Sequence, residues 1–135
     1  MIEDFYFDTS IWLDFYEKRG TNGELALKLI IKIINEDLKI SYSDLNLKEL
    51  KHLGYTNENI SSIFGIAKPN NIKHIHIYRE QTEEAKRLAR QRNVPKKDAL
   101  HAILCRDNNL QLISRDKHFE KLKDTTTAKK PEDFI

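Results

Sequence analysis

Four short, mainly apolar runs punctuate a chain otherwise patterned for helices: Asp4–Phe7, Leu38–Tyr42, Ile72–Tyr78 and Leu110–Ser114. Runs of this length and composition suit strands buried in a sheet. Between them the spacing predicts helices starting near Ile11, over Gly23–Asp37, after Ser43 or Asp44, over Thr56–Ala67, over Glu80–Arg92, and one opened by Pro95 that carries Asp98. Thr9 and Ser10 offer hydroxyls to cap the first helix, and Glu83 is spaced to pair with Arg87 one turn on. The order β-α-α-β-α-α-β-α-α-β-α contains no repeat or linker. Such alternation argues for an α/β fold, a parallel sheet covered by helices on both faces. With 135 residues, the chain reads as one domain over 1–135 that buries a single core.

Composition narrows the function only by exclusion. A hydrophobic share of 39% and a charged share of 33% belong to an ordinary globular chain rather than a disordered one. The longest apolar stretch, Leu25–Leu38, is interrupted by Lys28 and Lys32, so no membrane span is expected. The opening residues, Met1-Ile-Glu-Asp, are acidic and lead into the first strand, so no secretory leader is expected. The lone Cys105 has no partner for an internal disulfide, which agrees with a reducing cytoplasm. A net charge of +2 decides nothing, because 23 basic and 21 acidic residues nearly cancel. The helix Gly23–Asp37 is apolar around most of its circumference, which suggests burial on two sides and a homodimer.

Four acids stand out by position: Asp8 after the first strand, Asp116 just past the fourth, Asp98 in the first turn of a helix, and Glu49 on the helix after the second strand. Each alone has an ordinary explanation as a turn residue, a cap or a solvated charge. As a set they differ, because ligands of open parallel sheets bind where strands end at their carboxyl side. Carboxylates converging there would repel one another unless a cation held them. Mg²⁺ or Mn²⁺ suits an all-oxygen site.

At these residues the chain resembles the PIN-domain ribonucleases, especially stand-alone members of the VapC-toxin type. The resemblance is carried by Asp8-Thr9-Ser10, by Ser43-Asp44-Leu45-Asn46-Leu47-Lys48-Glu49-Leu50, by Asp98-Ala99-Leu100-His101-Ala102, and by Ser114-Arg115-Asp116-Lys117-His118-Phe119. The blocks occur in family order across nearly the whole chain. The resemblance implies a three-layer α/β/α fold with a parallel sheet of four or five strands. It implies a metal site made by Asp8, Glu49, Asp98 and Asp116, supported by the hydroxyls of Ser10 and Ser114, the latter where the family commonly has threonine. It also implies hydrolysis of RNA phosphodiesters by an activated water, leaving 5′-phosphate and 3′-hydroxyl ends. As the toxin of a toxin–antitoxin pair, the chain would have an antitoxin protein as a partner beside its RNA substrate.

Lys96, Lys97, Arg115 and Lys117 flank the acids, where an ordinary solvated basic rim is the competing reading, and Lys97, His101, Arg115 and Lys117 are the candidates for contact with RNA. For His101, hydrogen bonding within the helix packing is the competing reading. His74 and His76 read as structural or exposed, Cys105 as a small core residue, and Trp12 as packing in the first helix. The alternative within the fold is an inactive PIN domain serving as an RNA-binding or regulatory scaffold, against which the retention of all four acids counts. A haloacid-dehalogenase-like phosphatase needs a second acid where Ser10 stands, and a receiver domain needs an acidic pair beside Asp8 for which Asp4 comes too early.

Overall fold

The computed structural model describes residues 4–135. Residues 1–3, on which the expectation about a leader partly rests, lie outside the described residues. Four strands form the sheet: β1 (Asp4–Phe7), β2 (Ile40–Ser43), β3 (Ile72–Ile75) and β4 (Leu110–Ile113). All pair in parallel, in the order β3-β2-β1-β4. The helices are α1 (Thr9–Tyr16), α2 (Gly20–Asn35), α3 (Asp44–His52), α4 (Asn57–Gly65), α5 (Arg79–Arg92) and α6 (Lys96–Asp107), with 3₁₀ turns at Lys117–Leu122 and Pro131–Phe134.

Side-chain alternation along β1 assigns the layers, because successive residues of a strand face opposite ways. Phe5 and Phe7 enter a core with α1, α2 and α4, while Tyr6 enters a second core with α5, α6 and the turn at Lys117–Leu122. Helix α3 borders both, giving Leu50 to the first and Leu45 to the edge of the second. The result is the expected α/β/α sandwich with four strands. Helix α6 is buried from Asp98 through Cys105, consistent with its near absence of charge between those ends. Trp12 and Cys105 are core residues, as read.

Three local expectations change. Thr9 and Ser10 lie inside the first turn of α1, and the residue preceding the helix is Asp8; the Thr9 hydroxyl is used elsewhere, on Glu49. Glu83 pairs with Lys86 at 3.7 Å rather than with Arg87. Helix α2 turns Gly23, Ala26, Leu29, Ile30 and Ile33 inward but leaves Leu27 and Ile31 exposed, so this chain covers it on one side only.

The strand order has a functional consequence. From β1 the chain proceeds to β2 and β3 on one side, and later returns to β4 on the other. A crevice opens where the direction of winding reverses, here between the carboxyl ends of β1 and β4. There the Asp8 N–H donates to the Ile113 carbonyl at 3.0 Å. The outer edge of β4 is covered by the segment around Lys129, whose N–H reaches Leu112 O at 3.0 Å and whose carbonyl accepts from Ser114 N–H at 3.0 Å.

Candidate active site

Asp8 leaves β1 directly into the crevice and is nearly buried. Its Oδ2 accepts from Ser114 Oγ at 2.8 Å and, at the long limit of 3.4 Å, from Ser10 Oγ. The Ser114 hydroxyl also accepts the Asp116 N–H at 3.0 Å. One hydroxyl therefore ties the acid after β1 to the backbone after β4. Asp116 then caps the following turn, Oδ1 accepting the His118 N–H at 2.9 Å, so its ordinary structural role and its place at the site coexist.

Asp98 reaches the same place from the first turn of α6, with only 2% of its surface exposed. Burial, reinforced by the charges of Asp116 and Asp8, pushes its carboxyl up to about 6. His118 Nδ1 lies 2.9 Å from Asp98 Oδ2 and 3.0 Å from Asp116 Oδ1, a bridging position between two like charges.

Glu49 arrives from α3. Its Oε1 accepts from Thr9 Oγ1 at 2.6 Å and from His101 Nε2 at 2.9 Å, while Oε2 lies 3.8 Å from Lys97 Nζ. Burial raises the Glu49 pKa, but the hydrogen bond and charge of His101, with Thr9 and Lys97, outweigh it and hold the group below its ordinary value. For His101 burial works downward, yet Glu49, Asp8 and Asp98 leave the imidazole raised.

All four acids line one groove of about 900 Å³, together with Ser10, Arg19, Lys48, Lys96, Lys97 and several apolar side chains. Two sets of potential ligand atoms lie within 4.8 Å of one another: Asp8, Glu49 and His101, and Asp98, Asp116 and His118. His101 has no free ring nitrogen, because Nε2 faces Glu49 and Nδ1 faces the Tyr6 hydroxyl at 2.7 Å. The available donors are thus carboxylate oxygens with one exposed imidazole, a set that fits a hard divalent cation such as Mg²⁺ or Mn²⁺. The carboxyl of Asp98 is raised first by burial and then by the charges of Asp116 and Asp8, and a cation bound there would offset the second effect.

Of the residues expected to meet RNA, Lys97 lies on the groove. His101 is fully buried, so no bound strand can touch it without opening the core. Arg115 is folded onto Glu132 through two bonds of 2.9 and 2.8 Å, and with Lys117 it borders a separate cavity behind Asp116. Sequence reasoning missed Asn46, Tyr6 and the position of His118. Asn46 occupies the third helical position after Ser43 and accepts the Ser43 N–H at 2.9 Å, a capping-box arrangement readable from the spacing. Nothing in the sequence marks Tyr6 as more than a strand aromatic.

A family model described as the PIN domain matches residues 5–124. A sequence search of curated proteins found no match. The fold is similar to that in the crystal structure of VapBC2 from Rickettsia felis bound to a DNA fragment from their promoter, with a TM-score of 0.71, 15% identity, and coverage of 96% of this chain and 98% of that one. It is also similar to PAE2754 from Pyrobaculum aerophilum, with a TM-score of 0.62, 17% identity, and coverage of 99% and 93%. At such identities these two likenesses bear on the fold alone. The family match spans both cores and all four acids, and the chain belongs to the PIN domain family.

Proposed function

We propose that this chain is a divalent-metal-dependent endoribonuclease of the VapC-toxin type. The observation that carries the reading is the meeting of four carboxylates, brought by four different elements, on one groove at the carboxyl end of a parallel sheet. A folding scaffold gains nothing from such a cluster, which repels itself when no cation is bound.

In this reading Asp8, Glu49, Asp98 and Asp116 hold Mg²⁺ or Mn²⁺. When bound, the ion supplies a Lewis acid that lowers the pKa of water and neutralises charge on a phosphoryl group. The chain's own side chains do the rest. Ser114 and Ser10 fix the orientation of Asp8 through Oδ2. Lys97, with Lys48, Lys96 and Arg19 on the same groove, attracts and aligns the phosphodiester backbone by charge. Hydrolysis would leave 5′-phosphate and 3′-hydroxyl ends.

An antitoxin protein is the natural partner of this reading, and the likeness to VapBC2, solved on its promoter DNA, supports it. Among the described residues no helix is long and apolar enough to cross a membrane. A cytoplasmic site of action follows from the proposed substrate and agrees with the buried, unpaired Cys105. The exposed Leu27 and Ile31 on α2 support a homodimer.

The decisive experiment incubates purified protein with single-stranded RNA in EDTA, Mg²⁺ or Mn²⁺, alongside Asp8→Asn. Cleavage that needs the ion and falls at least 100-fold in the variant is the expected result. Undiminished cleavage by Asp8→Asn, or none by the wild type under any of these ions, would overturn the assignment.

A further inference from the structure

We infer that His101, backed by Tyr6, is a positioning residue for Glu49: it fixes one carboxylate oxygen inside the protein so that the other faces the groove. This rests on the reading of Glu49 as a metal-holding acid. Oε1 of Glu49 receives two short bonds, from Thr9 and His101, whereas among the described residues Oε2 meets only Lys97, at 3.8 Å. A carboxylate can only accept, so His101 Nε2 carries the hydrogen whichever charge state the ring adopts. The hydroxyl of Tyr6 serves Nδ1 at 2.7 Å in either state, since it can donate or accept, and it has Ser43 Oγ at 2.8 Å on its other side.

The second arm is built alike. Asn46 Nδ2 donates to Thr9 Oγ1 at 3.0 Å, which leaves the Thr9 hydrogen free to point at Glu49. Asn46 is joined to Ser43 by the backbone bond of the capping box. The six residues Ser43, Tyr6, His101, Glu49, Thr9 and Asn46 thus close a ring of hydrogen bonds that opens onto the groove at Glu49 and, slightly, at Thr9, the other four being fully buried. A histidine serving the core alone would not need a charged partner. Burying a charged contact costs free energy that an apolar side chain filling the same space would avoid. Hydrogen-bonded supports of this kind tune metal affinity in other sites.

The test measures Mn²⁺ binding by calorimetry on apo protein, for the wild type and for His101→Gln, His101→Asn, Thr9→Val and Tyr6→Phe. Glutamine places an amide N–H near the position of Nε2 and can still donate to Glu49, whereas the amide of asparagine reaches only toward Tyr6. Mn²⁺ affinity is expected to fall about 10-fold or more in His101→Asn and Thr9→Val, to fall less in Tyr6→Phe, and to stay near wild type in His101→Gln. Cleavage by His101→Asn should recover when Mn²⁺ is raised. Thermal melts in EDTA report folding separately, and if one variant fails to fold the others carry the same comparison. Variants that melt lower in EDTA yet bind Mn²⁺ as the wild type does would reduce His101 to a core residue and overturn the inference, leaving the metal site standing. A wild type that binds no Mn²⁺ would remove the site and this inference with it.

Discussion

Asp98 has almost no contact with water, yet its neighbours Asp116 and Asp8 are acids, and its carboxyl is pushed from 3.8 to about 6. A folded-state pKa above the unfolded one means that the native protein holds the extra proton between those values. The metal-free protein therefore loses stability as pH rises through that window. Asp98→Asn cannot titrate, so in EDTA its advantage over the wild type should be small at pH 4 and grow to at most about 3 kcal/mol by pH 7. Millimolar Mn²⁺ should reverse the order, because the wild type gains binding free energy that the variant lacks. Melting curves at both pH values, with and without the ion, check this; a variant less stable in EDTA at pH 7 would count against the electrostatic account. Lys97→Ala, at the groove, should raise KM for RNA several-fold with a smaller change in kcat, measured by initial rates. Three of the four acids on the groove were legible from position, because Asp8 and Asp116 follow strand ends and Asp98 opens a helix, whereas Glu49 was marked only by the family resemblance. Their convergence was not legible, since it depends on β1 lying between β2 and β4. Tyr6 carries no local signal, His118 stood in the block around Asp116 without a role assigned to it, and Arg115 looked available only because its partner Glu132 is 17 residues away.

Gly23 shows what the elements demand of single positions. It lies in α2 where that helix crosses the end of α1, and a Cβ there would sit 2.5 Å from the Asp14 carbonyl oxygen and 3.1 Å from the Lys18 carbonyl carbon. Both are backbone atoms and cannot swing aside. Alanine would gain roughly 1 kcal/mol of helix propensity but force the α1–α2 pair apart, at a typical overpacking cost of about 1–3 kcal/mol. Gly23→Ala should accordingly lower the urea midpoint at an unchanged slope, and a higher midpoint would mean that the pair yields easily. The type and order of the elements were readable from periodicity, but their ends were less so. Helix α2 starts at Gly20, whose φ of +57° no pattern announces. Strand β3 stops at Ile75, although the apolar alternation runs to Ile77, because its neighbour β2 offers pairing only as far as Ser43. Thr9 and Ser10 were misread as caps because hydroxyls at a helix start usually serve the backbone, and here a partly buried glutamate competes for one of them.

At the scale of the whole molecule, the open question is what α2 turns outward. Leu27 is 37% and Ile31 46% exposed, one helical turn apart, with Ile34 half-buried a further turn along. Two such side chains are too few to form an interface by themselves; a stable pair of subunits buries at least about 1,200 Å² in total. They could, however, form the apolar centre of one whose rim is the flanking Glu24, Lys28 and Lys32. A two-fold axis there would let Glu24 of one copy approach a lysine of the other, as a self-complementary contact requires. The net charge of +2 is too small to oppose association. The expected outcome is a mass by light scattering of twice the chain at high micromolar concentration, and of one chain for the double variant Leu27→Lys, Ile31→Lys. Because both positions are already partly in water, the variant should fold as well as the wild type. No residue of α2 lines the groove, so the Mn²⁺-dependent rise in melting temperature should survive in the monomer. A wild type that stays a single chain at that concentration would refute the dimer. A double variant that loses the Mn²⁺ response along with its partner would show instead that assembly and the metal site are coupled.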